Sequence, residues 1–140
     1  MSKVIFRKVI KEDLGRVFKI LNQLKELNIE SIDKESAWRS FNQNKSTKSI
    51  VGVLDNEIVA YGSIVVENKI RGEVAGHIED IVVDKNYRGR FIGENLIKEL
   101  INIGKKNSCY RITLFCKENL ENFYSRQGFK KSSINMKKYL

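Results

Sequence analysis

Residues 76–98 read GHIEDIVVDKNYRGRFIGENLIK, and their order predicts a strand, a turn and a helix. Ile78 to Val83 is an apolar run with two acids, Glu79 and Asp80, at its middle. Arg88-Gly89-Arg90-Phe91-Ile92-Gly93 is a basic turn, and Gly93 and Glu94 open the helix. Such a turn leaves several backbone N–H groups unpaired at a helix N-terminus whose dipole favours negative charge. It reads as a cradle for a pyrophosphate. The turn lacks the GK[ST] ending of a triphosphatase loop and the three glycines of a dinucleotide fingerprint, so ATP and NAD fit it poorly.

Working outward, a chain of 140 residues has the size of one domain, and residues 1–140 are expected to form a single unit without a linker. Hydrophobic residues make up 41%, with no unbroken apolar run near the roughly 20 residues of a membrane span. The start, MSKVIFRKVI, alternates like a strand and carries no cleavage pattern. A soluble, cytoplasmic protein is expected. The 26 basic and 17 acidic side chains leave a formal charge of +9, a field that attracts anions. Nucleic acid is one candidate anion, but the charge is scattered and the aromatics sit at apolar-patterned positions where core packing explains them. A multiply phosphorylated cofactor and a phosphorylated substrate use the same field. Cys109 and Cys116 have no metal-type partners, and His77 is the only histidine, so neither zinc nor a structural disulfide is expected. Alternation with Ile112 and Leu114 predicts a buried Cys116.

In chain order, Lys3 to Ile10 reads as a first strand, and Leu14, Val17, Phe18, Leu21 and Leu24 recur at helical spacing after acids at Glu12 and Asp13. Ser31 or Asp33 can cap a second helix carrying Ala37, Trp38 and Phe41. Ser49–Leu54 and Glu57–Glu67 are β-rich runs joined by Asp55-Asn56, a hairpin signal. In the strand from Gly76 to Val83, strict alternation puts Glu79 and Asp80 on opposite faces, where both cannot be buried cheaply. A β-bulge there would re-aim one side chain and free backbone groups for a ligand. A third helix is expected over Phe91–Asn107 and a strand over Tyr110–Cys116. A short helix over Glu118–Gln127 ends at Gly128, and a last hairpin or pair of strands follows from Phe129. The order βααβββαβαβ predicts an α/β sandwich with a mixed, mostly antiparallel sheet flanked by helices.

The strand-turn-helix segment, with R-x-x-x-x-G after an apolar strand, resembles the GNAT superfamily of acetyl-CoA-dependent N-acetyltransferases. Phe91 departs from it, standing where many members carry glycine. GHIEDIVV, RGRFIG, SCYRITLFC and NFYSRQGF together resemble one branch, the glucosamine-6-phosphate N-acetyltransferases, closely from Gly76 to Phe129 and loosely before. The resemblance implies the GNAT fold, no metal, and direct transfer of acetyl from acetyl-CoA to the amine of glucosamine 6-phosphate. That reaction lies on the way to UDP-N-acetylglucosamine. Another amine, such as a polyamine, an aminoglycoside or a protein N-terminus, remains the alternative substrate.

The same resemblance assigns roles. Ile81, Val82 and Val83 would pair with the pantetheine arm as an added strand. Arg88, Gly89, Arg90, Phe91, Ile92, Gly93 and Glu94 would hold the pyrophosphate end, and Asn119 and Phe123 would flank the cofactor. Tyr124, a phenol of ordinary pKa about 10, would give its proton to the leaving thiolate; the alternative is a core aromatic pair with Phe123. Glu79 and Asp80 are the amine-side carboxylates, and either can serve. Asn22 stands where relatives tend to carry a hydroxyl, and Phe115 where they commonly carry an acid. Lys69, in a turn that resembles the substrate loop, is a candidate cation for the sugar phosphate. So are Lys137 and Lys138, if the C-terminus reaches a partner subunit's site in a homodimer.

Overall fold

The computed structural model describes residues 3–140 and centres on a five-stranded sheet in the order β1-β2-β3-β4-β5. Strands β1 (Ile5–Lys8), β2 (Thr47–Leu54), β3 (Glu57–Asn68) and β4 (Val74–Val83) pair antiparallel with their neighbours, and β5 (Arg111–Leu114) runs parallel to β4. A parallel step needs a crossover, which helix α3 (Ile92–Lys106) supplies. Helices α1 (Leu14–Leu24) and α2 (Lys34–Gln43) precede β2, and the short α4 (Glu121–Ser125) follows β5.

Two apolar layers hold this sheet. Ile50, Ile64 and Ile78 pack with Leu96, Ile97 and Leu100 of α3, while Val51, Tyr61 and Val82 pack with Val17 and Ile20 of α1. Ile50 and Val51 are neighbours in β2, so alternation alone sends them to opposite faces. The β2–β3 connection is the two-residue turn Asp55-Asn56, with φ of 49° and 66°, the left-handed pair that a type I′ hairpin requires. Asp33 caps α2, its side chain accepting from the Ser36 N–H at 3.1 Å. No helix among the described residues is long and apolar enough to cross a membrane.

Four expectations change. The first strand is shorter than Lys3–Ile10, because the Ile10 N–H is already taken by the Asp13 carboxylate at 2.9 Å, which turns the chain into α1. Leu24 is about half exposed, since α1 ends there. Cys116 is exposed because β5 stops at Leu114, so alternation no longer governs it. No strand forms after Phe129: residues 130–140 are exposed and without regular structure. β5 therefore stays the edge of the sheet, paired on one side only, with β4.

An ion pair with a buried carboxylate ties α1 to the chain just beyond β4. Asp84 is 1% exposed; it is bonded by Arg16, which also donates to the Ile58 carbonyl at 3.0 Å, and by the Asn86 N–H at 3.1 Å. Burial works against ionisation of Asp84, but these donors outweigh it and hold the carboxyl below its ordinary value. A depressed carboxyl stabilises the fold above its unfolded value and loses that contribution as the pH falls through the folded one. Arg16→Ala is expected to cost about 2 kcal/mol in urea unfolding at neutral pH, since it leaves a buried carboxylate short of its cation. The loss should shrink as the solution is acidified through that range; a pH-independent loss would mean that Arg16 acts by packing alone.

Candidate active site

Strand β4 has two edges with different fates. Towards β3 its pairing runs from Val74 to Val83, but towards β5 it ends at Ile78↔Leu114. Beyond that point the two parallel strands part, and Glu79–Val83 presents an edge that β5 does not cover. The register on the β3 side also shifts, from Ser63↔Glu79 to Tyr61↔Val82, so Asp80 and Ile81 together face Gly62. Asp80 takes φ of 54°, and the strand bulges as the two adjacent acids required. Gly62 permits it, because a Cβ there would lie 2.7 Å from Ile81 Cδ1. The bulge leaves both Glu79 and Asp80 exposed while Ile78 and Val82 remain buried.

The basic turn follows directly. Gly89 has φ of 82° and Phe91, the N-cap of α3, has φ of 59°; the second is a left-handed conformation that a non-glycine residue adopts at a cost of about 1 kcal/mol. Its ring is 70% exposed, so packing does not repay that cost. The first intrahelical bond runs from the Asn95 N–H to the Phe91 carbonyl at 3.1 Å, leaving the N–H groups of Ile92, Gly93 and Glu94 without intrahelical acceptors. The Ile92 side chain is buried in the core, so its part in the turn is its backbone. Arg88 and Arg90 are exposed, the latter 5.4 Å from the Tyr87 ring centroid.

Helix α4 brings aromatic residues against this turn. A Cβ on Gly93 would sit 3.3 Å from Phe123 Cζ and 3.7 Å from Val83 Cγ2, so the turn, the end of β4 and α4 close on one another. Tyr124 packs edge-on to Phe123 at 4.9 Å and to Phe129 at 6.0 Å, and is 7% exposed. Burial, with the Cys116 thiol as a second contributor, pushes its phenol above the ordinary value, so it keeps its proton at neutral pH. Asn119 lies exposed in the single 3₁₀ turn before α4.

The expected substrate groups are differently placed. Glu79 Oε1 lies 3.1 Å from His77 Nε2, and Phe115, 62% exposed, packs its ring on His77 at 4.9 Å. Asn22 is exposed at the end of α1 and spends its side-chain carbonyl on the Leu27 N–H at 2.7 Å. Lys69 pairs with Glu67 beside the β3–β4 turn. Lys138 is exposed on the C-terminal segment, as is Lys137, 5.5 Å from the Tyr139 ring centroid.

One cluster escaped the sequence reading. Arg71, in the same turn as Lys69, donates to the Tyr110 hydroxyl at 3.1 Å, and Arg111 donates to it at 2.6 Å. Arg111 first, then Arg71, draws the Tyr110 phenol below its ordinary value. The register Ala75↔Arg111 brings the start of β5 beside the turn; without it nothing relates residues 71 and 111. Two cavities, about 250 Å³ near Lys8, Lys45 and Lys48 and about 140 Å³ between α1, α2 and Tyr61, share no residue with these groups. The candidate site lies along the uncovered β4 edge and the turn after it.

Residues 15–129 match the model of the acetyltransferase (GNAT) family. Glucosamine 6-phosphate N-acetyltransferase 1 of Dictyostelium discoideum is 38% identical over 125 residues, covering 84% of this chain and 80% of the relative. The glucosamine 6-phosphate N-acetyltransferase of Candida albicans is 33% identical over 139 residues, covering 94% and 92%. Among solved structures, the glucosamine-6-phosphate N-acetyltransferase of Arabidopsis thaliana superposes with a TM-score of 0.88 at 30% identity and 98% coverage of both chains.

Proposed function

The chain belongs to the acetyltransferase (GNAT) family, and from that premise we propose that it transfers acetyl from acetyl-CoA to the amine of glucosamine 6-phosphate, giving N-acetylglucosamine 6-phosphate. The observation that carries the reading is the uncovered β4 edge running straight into the turn at Arg88–Gly93. An extended amide-bearing arm ending in a pyrophosphate matches that sequence of donors, as a strand would match a sheet edge and an anion a helix start. The amino sugar is supported by relatives of that name that align over most of both chains. We read the protein as a cytoplasmic enzyme.

Acetyl-CoA supplies the acyl group as a reactive thioester. The remaining work falls to this chain. Backbone groups of Ile81–Val83 bind the pantetheine arm, and N–H groups of Arg88 to Glu94 receive the pyrophosphate, with Phe123 and Asn119 alongside. Tyr124, kept protonated by its surroundings, gives its hydroxyl proton to the departing sulfur. A carboxylate of the Glu79-Asp80 pair takes the proton that the substrate ammonium must lose before its nitrogen can bond to carbon. Lys69, with Arg71 and Arg111 beside it, provides cations for the sugar phosphate, while Asn22 keeps a side-chain amide for the sugar. Holding the two substrates together supplies much of the rate.

The C-terminal segment fits a homodimer. Ile134 and Met136 are each 89% exposed on a stretch that no strand of its own chain pairs, and a second copy would cover them and receive Lys137 and Lys138. A second reading, transfer to a polyamine, an aminoglycoside or a protein N-terminus, rests on Phe115, which cannot accept the hydrogen bond of an acid at that position.

Three outcomes check this account. Purified protein should release thiol from acetyl-CoA with glucosamine 6-phosphate, and far less with glucosamine, spermidine, an aminoglycoside or a basic peptide; a preference for one of the others would select the second reading. Tyr124→Phe should lower kcat on the order of a hundredfold with little change in either KM, and unchanged turnover would remove its role as acid. Truncation after Met136 should raise the KM for the sugar phosphate, whereas an unchanged KM would leave Lys137 and Lys138 as surface lysines.

A further inference from the structure

We infer that His77 is a positioning residue, which selects Glu79 over Asp80 as the carboxylate that receives the amine proton. The inference rests on the reading above. His77 and Glu79 lie two residues apart on the same side of β4, and His77 faces Thr113 across the last part of the β4–β5 pairing. The ring is held at both nitrogens: Nε2 lies 3.1 Å from Glu79 Oε1, and Nδ1 lies 2.8 Å from Thr113 Oγ1. A carboxylate only accepts, so a hydrogen bond at the 3.1 Å contact has Nε2 as its donor. In the neutral ring Nδ1 is then the acceptor, and the Thr113 hydroxyl donates to it. The Phe115 ring, 4.9 Å away and tilted by 58°, covers the imidazole, and Val65 is its partner across β3.

These contacts fix one oxygen of Glu79 and leave Oε2 for the amine. Asp80, at the bulge, has no comparable donor among the described contacts. The chain Thr113 to His77 to Glu79 thus orients a carboxylate at the point where β4 and β5 part. Phe115 adds to it by packing against the ring. His77 touches neither the thioester nor the amine; it acts through Glu79.

Because His77 is the only histidine in the chain, one pair of ¹⁵N imidazole signals reports it without ambiguity. With no substrate present, Glu79→Ala should move the Nε2 signal and Thr113→Val the Nδ1 signal; signals that stay in place would overturn the inference whatever the enzyme's substrate proves to be. In turnover, His77→Ala should lower kcat about tenfold, the scale of one charge-assisted hydrogen bond, and leave the KM for acetyl-CoA unchanged. His77→Gln, whose amide N–H reaches the place of Nε2, should recover most of that loss. Adding His77→Ala to Glu79→Ala should cost little more than Glu79→Ala alone. Independent, additive losses, or a Gln variant no better than Ala, would reduce His77 to a packing residue. Absence of thiol release by the unaltered protein with glucosamine 6-phosphate would instead overturn the substrate reading and leave the spectroscopic arm to decide the contact.

Discussion

The separation of β4 from β5 after Ile78↔Leu114 is the constraint on which the site depends. A strand edge with free N–H and C=O groups in mid-sheet is a liability that folded chains normally cover. Here it persists because β5 is only four residues long and because α4 lies against the gap. Phe123 packs on Gly93, and Tyr124 is buried between Phe123 and Phe129. These rings pack at the end of β4 where the strands have parted, while tight contacts around Gly76 mark the end where they are paired: a Cβ there would meet Ile64, Cys109 and Ile112 at 3.0–3.3 Å. Side chains thus pack on each side of a single register position.

The bulge at Asp80 serves the same end by another route. Without it, alternation would turn one of two adjacent carboxylates into an apolar layer at a cost of several kcal/mol. With it, Asp80 sits outside the repeat, and Ile78 and Ile81 both reach the layer under α3 while Val82 reaches the one under α1. Gly62 is the accommodation on β3, giving up its side chain so that Ile81 can fill the space. The left-handed backbone at Gly89 and Phe91 continues the pattern. These three departures from regular geometry, at Asp80, Gly89 and Phe91, lie along β4 and the turn after it, where a ligand needs free backbone groups.

The sequence was most legible where one local pattern had one physical solution. The Asp55-Asn56 hairpin, the strand through Ile78–Val83, the turn at Arg88–Gly93 and the apolar face of α3 all follow from short-range chemistry, and each is present. The GNAT fold was legible for the same reason, since its diagnostic segment is contiguous. What escaped depends on register or on chain ends. Arg71, Tyr110 and Arg111 converge only because β5 pairs with β4 at Ala75↔Arg111. Cys116 looked buried because alternation was carried past the last paired residue, Leu114. The expected hairpin or pair of strands beyond Phe129 depends on pairing with a distant edge, and residues 130–140 form no such pairing.

Phe115, the residue after β5, shows how an exposed ring can be absorbed by its neighbours. An acid there would have been a second polar group beside the parting strands, needing donors of its own. The phenylalanine asks for none, and its ring lies tilted against the His77 imidazole. One ring edge of His77 then lies against Thr113 and the other against Glu79, beside the end of β5. The polar work at the site is concentrated on one strand, next to the bulge that exposes it. That arrangement demands less of β5, which needs only to place Thr113 and to end one residue short of Phe115.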